Sequence, residues 1–246
     1  MYENFILKIK DLDFKFNKNQ NVFFKNITAS FVSKKIYFIR GANGVGKTTF
    51  FRILSGNLNS NEVLSAEICL PEKCYKVNSS NFMQIDFFKN YVKMVPQKFE
   101  YMLADNFSFN QNLLLSKLDY YPDLEFLSKD EKNINIPDFI SNFNIDVNKQ
   151  VKNLSGGQKQ ILAILCALQK PAKILLLDEP TASFDDENSN MVMHFLKDLV
   201  EKMDLTILII CHDKDLAEKY SEYGYFEFRV NNITKVRELE FCYLKN

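Results

Sequence analysis

One short glycine-rich segment constrains this chain more than any other feature. Residues 41–48 read GANGVGKT and match the pattern G-x-x-x-x-G-K-[ST], which arises by chance in on the order of one chain in a hundred. The apolar segment IYFIR (36–40) precedes it and predicts a strand, and a helical spacing of apolar residues begins at Thr48. Backbone N–H groups in such a turn, together with the start of the helix, face phosphate groups. The segment therefore predicts a nucleoside triphosphate site.

This loop supplies most of the predicted nucleotide contacts. We expect its backbone to hold the α- and β-phosphates, Lys47 to reach the β- and γ-phosphates, and the Thr48 hydroxyl to bind Mg²⁺. Lys47 is also a predicted catalytic residue. The predicted nucleotide-binding residues of the loop are Gly41, Ala42, Asn43, Gly44, Val45, Gly46, Lys47, Thr48 and Thr49.

Two acidic residues follow a strongly apolar segment later in the chain. The segment ILLL (174–177) predicts a buried strand, and Asp178 and Glu179 come directly after it. Ligands of α/β proteins bind at the carboxyl ends of such strands. Asp178 is therefore a predicted Mg²⁺ ligand, and Glu179 is a predicted general base that polarises the attacking water.

Charge, termini and cysteines narrow the class of protein. The 246 residues contain 31 lysines and arginines and 31 aspartates and glutamates, so we expect no nucleic-acid partner bound by bulk charge. The N-terminal sequence does not resemble a signal peptide, and no apolar run approaches the roughly 20 residues that span a bilayer. Five cysteines without a C-x-x-C pair predict reduced thiols rather than disulfides or a zinc site.

A second glycine cluster follows in a chain that is poor in glycine. The chain has 7 glycines, where average usage predicts roughly 17, and two of them lie in LSGGQ (154–158) before a predicted helix. Here the sequence resembles the ATP-binding cassette (ABC) ATPases, in which LSGGQ is the signature motif. The resemblance covers nearly the whole chain, with the phosphate-binding loop, Gln97, LSGGQ, the acidic pair, Asp185 and His212 in the order typical of that family.

The resemblance implies a head-to-tail dimer that closes around two ATP molecules. Ser155, Gly156 and Gly157, with Gln158 beside them, would contact the γ-phosphate of the ATP in the partner's phosphate-binding loop. Asp185 would communicate across this dimer, although Phe184 stands where the family usually has leucine. The second subunit can be identical or different.

Three further residues take roles from the same resemblance. Gln97 would contact Mg²⁺ and the γ-phosphate and couple to a membrane-spanning partner. His212, after the segment LTILIIC, would contact the γ-phosphate as a catalytic residue. Phe16 is the candidate for stacking on adenine, with Phe14 as the alternative.

The order of predicted elements defines a fold class. Strands alternate with helices after Gly156, which predicts a parallel sheet, and the resemblance implies a P-loop NTPase (RecA-like) core of the α/β class. We expect an N-terminal antiparallel β region in this core (1–97 and 155–246) and an inserted helical subdomain (98–154) that ends at the signature motif. The tail predicts a hairpin of YFEFRV and ITKV (225–230 and 233–236).

Two functions are compatible with these features. The leading hypothesis is an ATP-hydrolysing subunit at the cytoplasmic face of the cell membrane, which powers transport through separate membrane-spanning subunits. The surface around QKFEYM (97–102) would dock the partner, although these aromatic residues also fit core packing of the subdomain. The alternative is a soluble ABC ATPase of the assembly type without a transporter partner.

Overall fold

The computed structural model describes residues 5–118, 136–182, 184–221 and 224–243. Within these ranges the strands are β1 (Phe5–Lys15), β2 (Phe24–Val32), β3 (Ile36–Arg40), β4 (Val63–Cys69), β5 (Cys74–Asn78), β6 (Val92–Val95), β7 (Ile174–Asp178), β8 (Thr206–Ile210), β9 (Gly224–Val230) and β10 (Arg237–Tyr243). The α-helices are α1 (Lys47–Leu54), α2 (Asp86–Tyr91), α3 (Phe109–Lys117), α4 (Gly156–Ala167), α5 (Asp186–Met203) and α6 (Lys214–Tyr220). No helix in these ranges is long and apolar enough to cross a membrane.

The strands of the described ranges form one mixed sheet in the order β5-β4-β1-β2-β10-β9-β3-β8-β7-β6. The strands β3, β8, β7 and β6 are parallel neighbours, whereas β2, β1, β4 and β5 pair antiparallel. Because the parallel strands point the same way, the carboxyl ends of β3 and β7 open on one edge of the sheet. The phosphate-binding loop and the acidic pair follow those two ends.

The parallel part of the sheet is covered on both faces. Every residue of β7 is buried. Alternate residues point to opposite faces of a strand, so Ile174 and Leu176 belong to the core that also contains the apolar residues of α1 and β1, while Leu175 and Leu177 belong to the core that contains those of α4 and α5. This double burial explains why β7 reads as a continuous apolar run, and it holds the following acidic residues on a rigid element.

The predicted fold class is confirmed, and the predicted subdomain has mainly helical local structure. Between β6 and α4 the described residues form α3 and short 3₁₀ turns at Phe99–Met102, Asp138–Phe143 and Val151–Asn153. Residues 119–135 of this segment lie outside the described ranges, and the boundaries at 98 and 154 stay a prediction.

The C-terminal hairpin is longer than predicted. The second strand is β10 rather than ITKV (233–236), because Oδ1 of Asn231 accepts hydrogen bonds from the backbone of Ile233 and Thr234 and folds this segment into a turn. The prediction of that strand is therefore wrong, although the hairpin itself is present.

The expectation of reduced thiols is wrong for one pair. Cys69 and Cys74 form a disulfide across the β4–β5 hairpin. The neighbouring pair, Leu70 and Lys73, exchanges both backbone hydrogen bonds, so the cysteines occupy a non-hydrogen-bonded pair, where side chains lie closest. Cys166, Cys211 and Cys242 are free, and burial raises the pKa of the Cys166 thiol to about 12.

Candidate functional site

The glycine-rich loop joins β3 to α1 in a conformation that depends on its glycines. Gly46 has a φ of 112° and lies directly before α1. A Cβ at Gly46 would come within 2.7 Å of the Phe23 ring, closer than carbon atoms pack. Both the backbone angle and the tight contact exclude other residues here. The loop therefore presents its backbone N–H groups at the start of α1.

Lys47 is buried within this loop. Its Nζ donates hydrogen bonds to the carbonyl oxygens of Gly41 at 2.8 Å and Ala42 at 3.0 Å. Burial lowers the pKa of the Lys47 ammonium, while the carboxylates of Glu179 and Asp178 act in the opposite direction. The cation thus lies where few water molecules screen it, which strengthens its attraction for an anion.

Thr48 and Asp178 connect the loop to the end of β7. The Thr48 hydroxyl donates to Asp178 Oδ2 at 2.8 Å. Burial, and then the nearby charge of Glu179, raise the pKa of the Asp178 carboxyl, against the Thr48 hydrogen bond. The two side chains present a hydroxyl and a carboxylate side by side, which are the hard oxygen ligands that Mg²⁺ prefers.

Glu179 lies between two polar side chains from other elements. Gln97, which follows β6, donates from Nε2 to Glu179 Oε2 at 2.8 Å. His212, which follows β8, lies with Nε2 at 2.7 Å from Glu179 Oε1. Glu179 itself has a φ of 53°, an uncommon left-handed conformation for a non-glycine residue. The carboxylate is thus oriented by residues that follow the two strands flanking β7.

These residues line one open cavity of about 610 Å³. The lining comprises Phe16, Phe23, Asn43, Gly44, Gly46, Lys47, Thr48, Thr49, Gln97, Glu179 and His212. The other loop residues do not line the cavity: Gly41 and Ala42 accept the Lys47 hydrogen bonds, and Val45 is buried in the core. The volume is in the range of small-molecule sites, with cationic, acidic and aromatic groups facing one space.

The aromatic end of the cavity distinguishes the two candidate phenylalanines. Phe14 is fully buried in the core, whereas Phe16 is 37% exposed. Phe16 packs edge-on against Phe23 with ring centroids 4.7 Å apart. Phe16 therefore offers a ring to a ligand in the cavity, and Phe14 does not.

The signature residues lie elsewhere on the chain's surface. Ser155 caps α4 through a reciprocal pair of hydrogen bonds with Gln158. Asp185 caps α5 by accepting from the backbone of Asn188. Neither these residues nor Gly156 and Gly157 line the nucleotide-sized cavity, so the structure does not bring the two glycine clusters together within one chain.

Sequence reasoning missed two residues at these sites. Phe23 lines the cavity, but it precedes β2 in an aromatic-rich segment and no pattern distinguishes it from Phe24. Asn188 bonds to both the signature loop and Asp185. The three-residue spacing from Asp185 to Asn188, which is typical of a helix cap, was the available signal.

Comparison with known proteins supports the resemblance to the ABC ATPases. The family model described as ABC transporter matches residues 24–182. A phosphonates import ATP-binding protein, PhnC, of Staphylococcus aureus strain MRSA252 is 30% identical over 221 residues, which is 87% of this chain and 82% of that protein. PhnC of strain USA300 is 30% identical over 209 residues, which is 82% of this chain and 78% of that protein.

Solved structures show the same fold. CbiO1 of Clostridium perfringens, part of the ABC transporter complex CbiONQ, has a TM-score of 0.71 at 24% identity, covering 97% of this chain and 88% of that one. A dimeric ATP-binding cassette bound to ADP and phosphate has a TM-score of 0.64 at 21% identity, covering 98% and 99% of the two chains. With the family match and the PhnC relatives, the chain belongs to the ABC transporter family, as one of its ATP-binding and ATP-hydrolysing subunits.

Proposed function

We propose that this subunit dimerises around two ATP molecules and powers transport through separate membrane-spanning subunits. The observation that supports this proposal most directly is that the predicted ATP contacts are divided between two surfaces of the chain. Lys47, Thr48 and Glu179 line one cavity, and Asp178 lies directly behind Thr48, whose hydroxyl donates to it, whereas the signature loop lies apart from that cavity. A triphosphate in the cavity would reach a signature loop only on a second subunit.

Each part of the cavity suits a different part of a nucleotide. Phe16 would stack on the base, since an aromatic face attracts any nucleobase. The backbone N–H groups from Gly44 to Thr48 would bind phosphate oxygens, and Lys47 would exchange its carbonyl partners for the β- and γ-phosphates. Each replacement exchanges a neutral acceptor for a charged one, which strengthens the hydrogen bond.

The oxygen ligands around Thr48 fit a magnesium ion. Asp178, Thr48 and Gln97 offer a carboxylate, a hydroxyl and an amide oxygen, a donor set suited to a hard cation. The raised pKa of Asp178 reflects burial and a neighbouring negative charge, an arrangement that a bound cation would relieve. When bound, Mg²⁺ would neutralise charge on the β- and γ-phosphates.

Glu179 is placed to act as the general base. Its carboxylate would accept a proton from a water aligned with the γ-phosphate. Gln97 and His212 hold its two oxygens, which fixes the direction in which the base points. His212 Nε2 also carries a donor that can turn toward the γ-phosphate as negative charge develops.

The membrane partner and the location follow from the same proposal. The relatives named as import proteins favour an importer subunit on the cytoplasmic face of the cell membrane, and they do not favour the soluble alternative. In the segment after Gln97, Phe99 is buried in the core, whereas Tyr101 is 83% exposed. Tyr101 and the half-exposed Met102 would contact the membrane-spanning partner.

The Glu179→Gln variant tests whether two subunits share each ATP site. It keeps the shape of the site but removes the base, so ATP should accumulate unhydrolysed and hold two subunits together. Size-exclusion chromatography with light scattering, at high protein concentration with ATP and Mg²⁺, should show a dimer. The matched control is the double variant with Lys47→Ala, which should stay monomeric. A Glu179→Gln protein that binds ATP but remains monomeric would contradict the proposal.

A further inference from the structure

Asn188, in the first turn of α5, contacts the beginning of α4 with its side chain. Its Oδ1 accepts hydrogen bonds from the Gly157 backbone at 3.2 Å and from the Ser155 hydroxyl at 3.1 Å. Its Nδ2 donates to Asp185 Oδ1 at 2.8 Å. Because a carboxylate only accepts, this last bond fixes the amide orientation, with the oxygen toward α4.

The amide oxygen therefore lies where an anion would bind. The start of a helix carries a partial positive charge and free N–H groups, which favour a phosphate oxygen. Ser155 and Gly157 are two of the groups that we assign to the partner's γ-phosphate. In this structure both donate to a single oxygen of Asn188, so they cannot bind a phosphate without releasing it.

We propose that Asn188 is a positioning residue that takes the place of a γ-phosphate oxygen in the free subunit, and that ATP on the partner subunit displaces it when the dimer closes. This inference rests on the proposed function. Asn188 would keep the signature loop ordered before ATP arrives and would oppose closure until a triphosphate competes for the same donors.

The displacement would leave the fold of α5 unchanged. The backbone N–H of Asn188 also donates to Asp185 Oδ1 at 2.8 Å, and this cap does not depend on the side chain. Release of the side chain would therefore break two hydrogen bonds to α4 while the start of α5 stays in place. The Asn188→Ala variant should mimic the released state.

A matched control lies on the same helix. Asn190 Oδ1 also accepts two hydrogen bonds, from Lys219 Nζ and the Tyr220 hydroxyl, both at 2.8 Å. Asn190→Ala thus removes two side-chain hydrogen bonds between α5 and a neighbouring helix, as Asn188→Ala does, without touching the signature loop. Asn188→Asp is the second test variant, because it keeps an acceptor for both donors but adds negative charge beside the γ-phosphate.

The experiment measures dimerisation of the full chain in the Glu179→Gln background with ATP and Mg²⁺, by sedimentation at several protein concentrations. We take the release of one Asn188 side chain to cost about as much as one net hydrogen bond, which corresponds to about fivefold in an equilibrium constant, and each dimer releases two Asn188 side chains. Asn188→Ala should therefore lower the dimer dissociation constant about 25-fold. Asn188→Asp should raise it by a similar factor, and Asn190→Ala should leave it unchanged.

Affinity of the monomer for a fluorescent ATP analogue is the second readout and should be equal in all variants. A purely structural role for Asn188 would weaken the dimer in Asn188→Ala, so an equal or higher dissociation constant overturns the inference. Equal tightening by Asn190→Ala overturns it as well. If the Glu179→Gln parent binds ATP and does not dimerise, the proposed function fails and the inference fails with it.

Discussion

The two glycine clusters of this chain form surfaces of different kinds. The loop at 41–48 opens into a cavity that also contains side chains following β6, β7 and β8. The signature loop at 154–158 starts a helix on another surface, where the Ser155 N–H donates to the Gln158 side chain and the Ser155 hydroxyl and Gly157 N–H donate to Asn188. The first cluster adjoins buried ionisable groups with shifted pKa values, whereas the hydrogen-bond donors of the second meet the neutral side-chain amides of Gln158 and Asn188.

This difference indicates which of the two surfaces nucleotide binding and hydrolysis should each require. In the proposed function, the buried Lys47 and Asp178 bind the nucleotide and its Mg²⁺ within one subunit, because their charges act in a weakly screened environment. A neutral, internally satisfied helix start has little to offer until a charged ligand arrives. Nucleotide binding should therefore depend on the first surface alone, and hydrolysis should depend on both.

The largest effect is expected at Glu179, the proposed general base of the first surface. Glu179→Gln should lower the ATP turnover number at least about a hundredfold, since a positioned general base contributes a factor of that order. Phosphate release under saturating ATP measures it. ATP affinity of the monomer should stay within about twofold, and a large loss of affinity would show that Glu179 acts in binding instead.

Removal of the Lys47 side chain should show that ATP binding by the monomer depends on the first surface and not on the second. Lys47→Ala should weaken ATP binding by the monomer about thirtyfold, because a hydrogen bond to a charged group contributes about 2 kcal/mol. Titration with a fluorescent nucleotide measures this. The matched variant Lys159→Ala, in the first turn of α4, should bind ATP normally, and equal losses in both would remove the distinction between the surfaces.

The aromatic end of the cavity should contribute less. Phe16→Ala should weaken ATP binding about tenfold, since stacking of a base on an aromatic ring contributes about 1–3 kcal/mol. Phe107, which is also exposed and does not line the cavity, provides the control Phe107→Ala. Unchanged ATP affinity in Phe16→Ala would show that the adenine base does not stack on Phe16, and Phe23 would be the next residue to change.

The smallest effects concern the stability of the nucleotide-free subunit, and they should have opposite signs at the two surfaces. Burial raises the pKa of Asp178, so its charge costs stability above that pKa, and Asp178→Asn should increase the free energy of unfolding at pH 7. Hydrogen bonds from Asn188 lower the pKa of Asp185, so its charge stabilises the fold, and Asp185→Asn should decrease it.

Urea unfolding at several pH values checks both signs. The Asp178→Asn difference should shrink as the pH falls from 7 toward about 4, because the raised pKa of Asp178 brings its protonation in the folded state into that range. The Asp185→Asn difference should persist down to about pH 4 and shrink only below it, as the pH falls through the lowered pKa of Asp185. Two changes of the same sign would contradict the contrast between a buried and an exposed carboxylate.

Much of the first surface could be predicted from sequence because its residues lie at strand ends. The loop follows β3 and the acidic pair follows β7, and parallel neighbours bring such positions to one edge. The contact between Gln97 and Glu179, 82 positions apart, depends on β6 pairing with β7. No local pattern indicated that pairing, and the family resemblance assigned Gln97 only to the nucleotide and the membrane-spanning partner.

Other features depend on packing that a local pattern does not encode. Phe14 lies in β1 and Phe16 directly follows it, and only the three-dimensional core shows that the first is buried. The contact of Asn188 with the signature loop requires α5 to pack against α4. The Cys69–Cys74 pairing depends on the register of the β4–β5 hairpin, which composition does not fix.

The most direct test of the divided ATP site is the dependence of specific ATPase activity on protein concentration. If each site needs groups from two subunits, turnover per subunit at saturating ATP and Mg²⁺ should rise with concentration and then level off as dimers form. The nucleotide affinity of the monomer should not change over the same range. A turnover per subunit that stays constant from dilute monomer to high concentration would contradict the account.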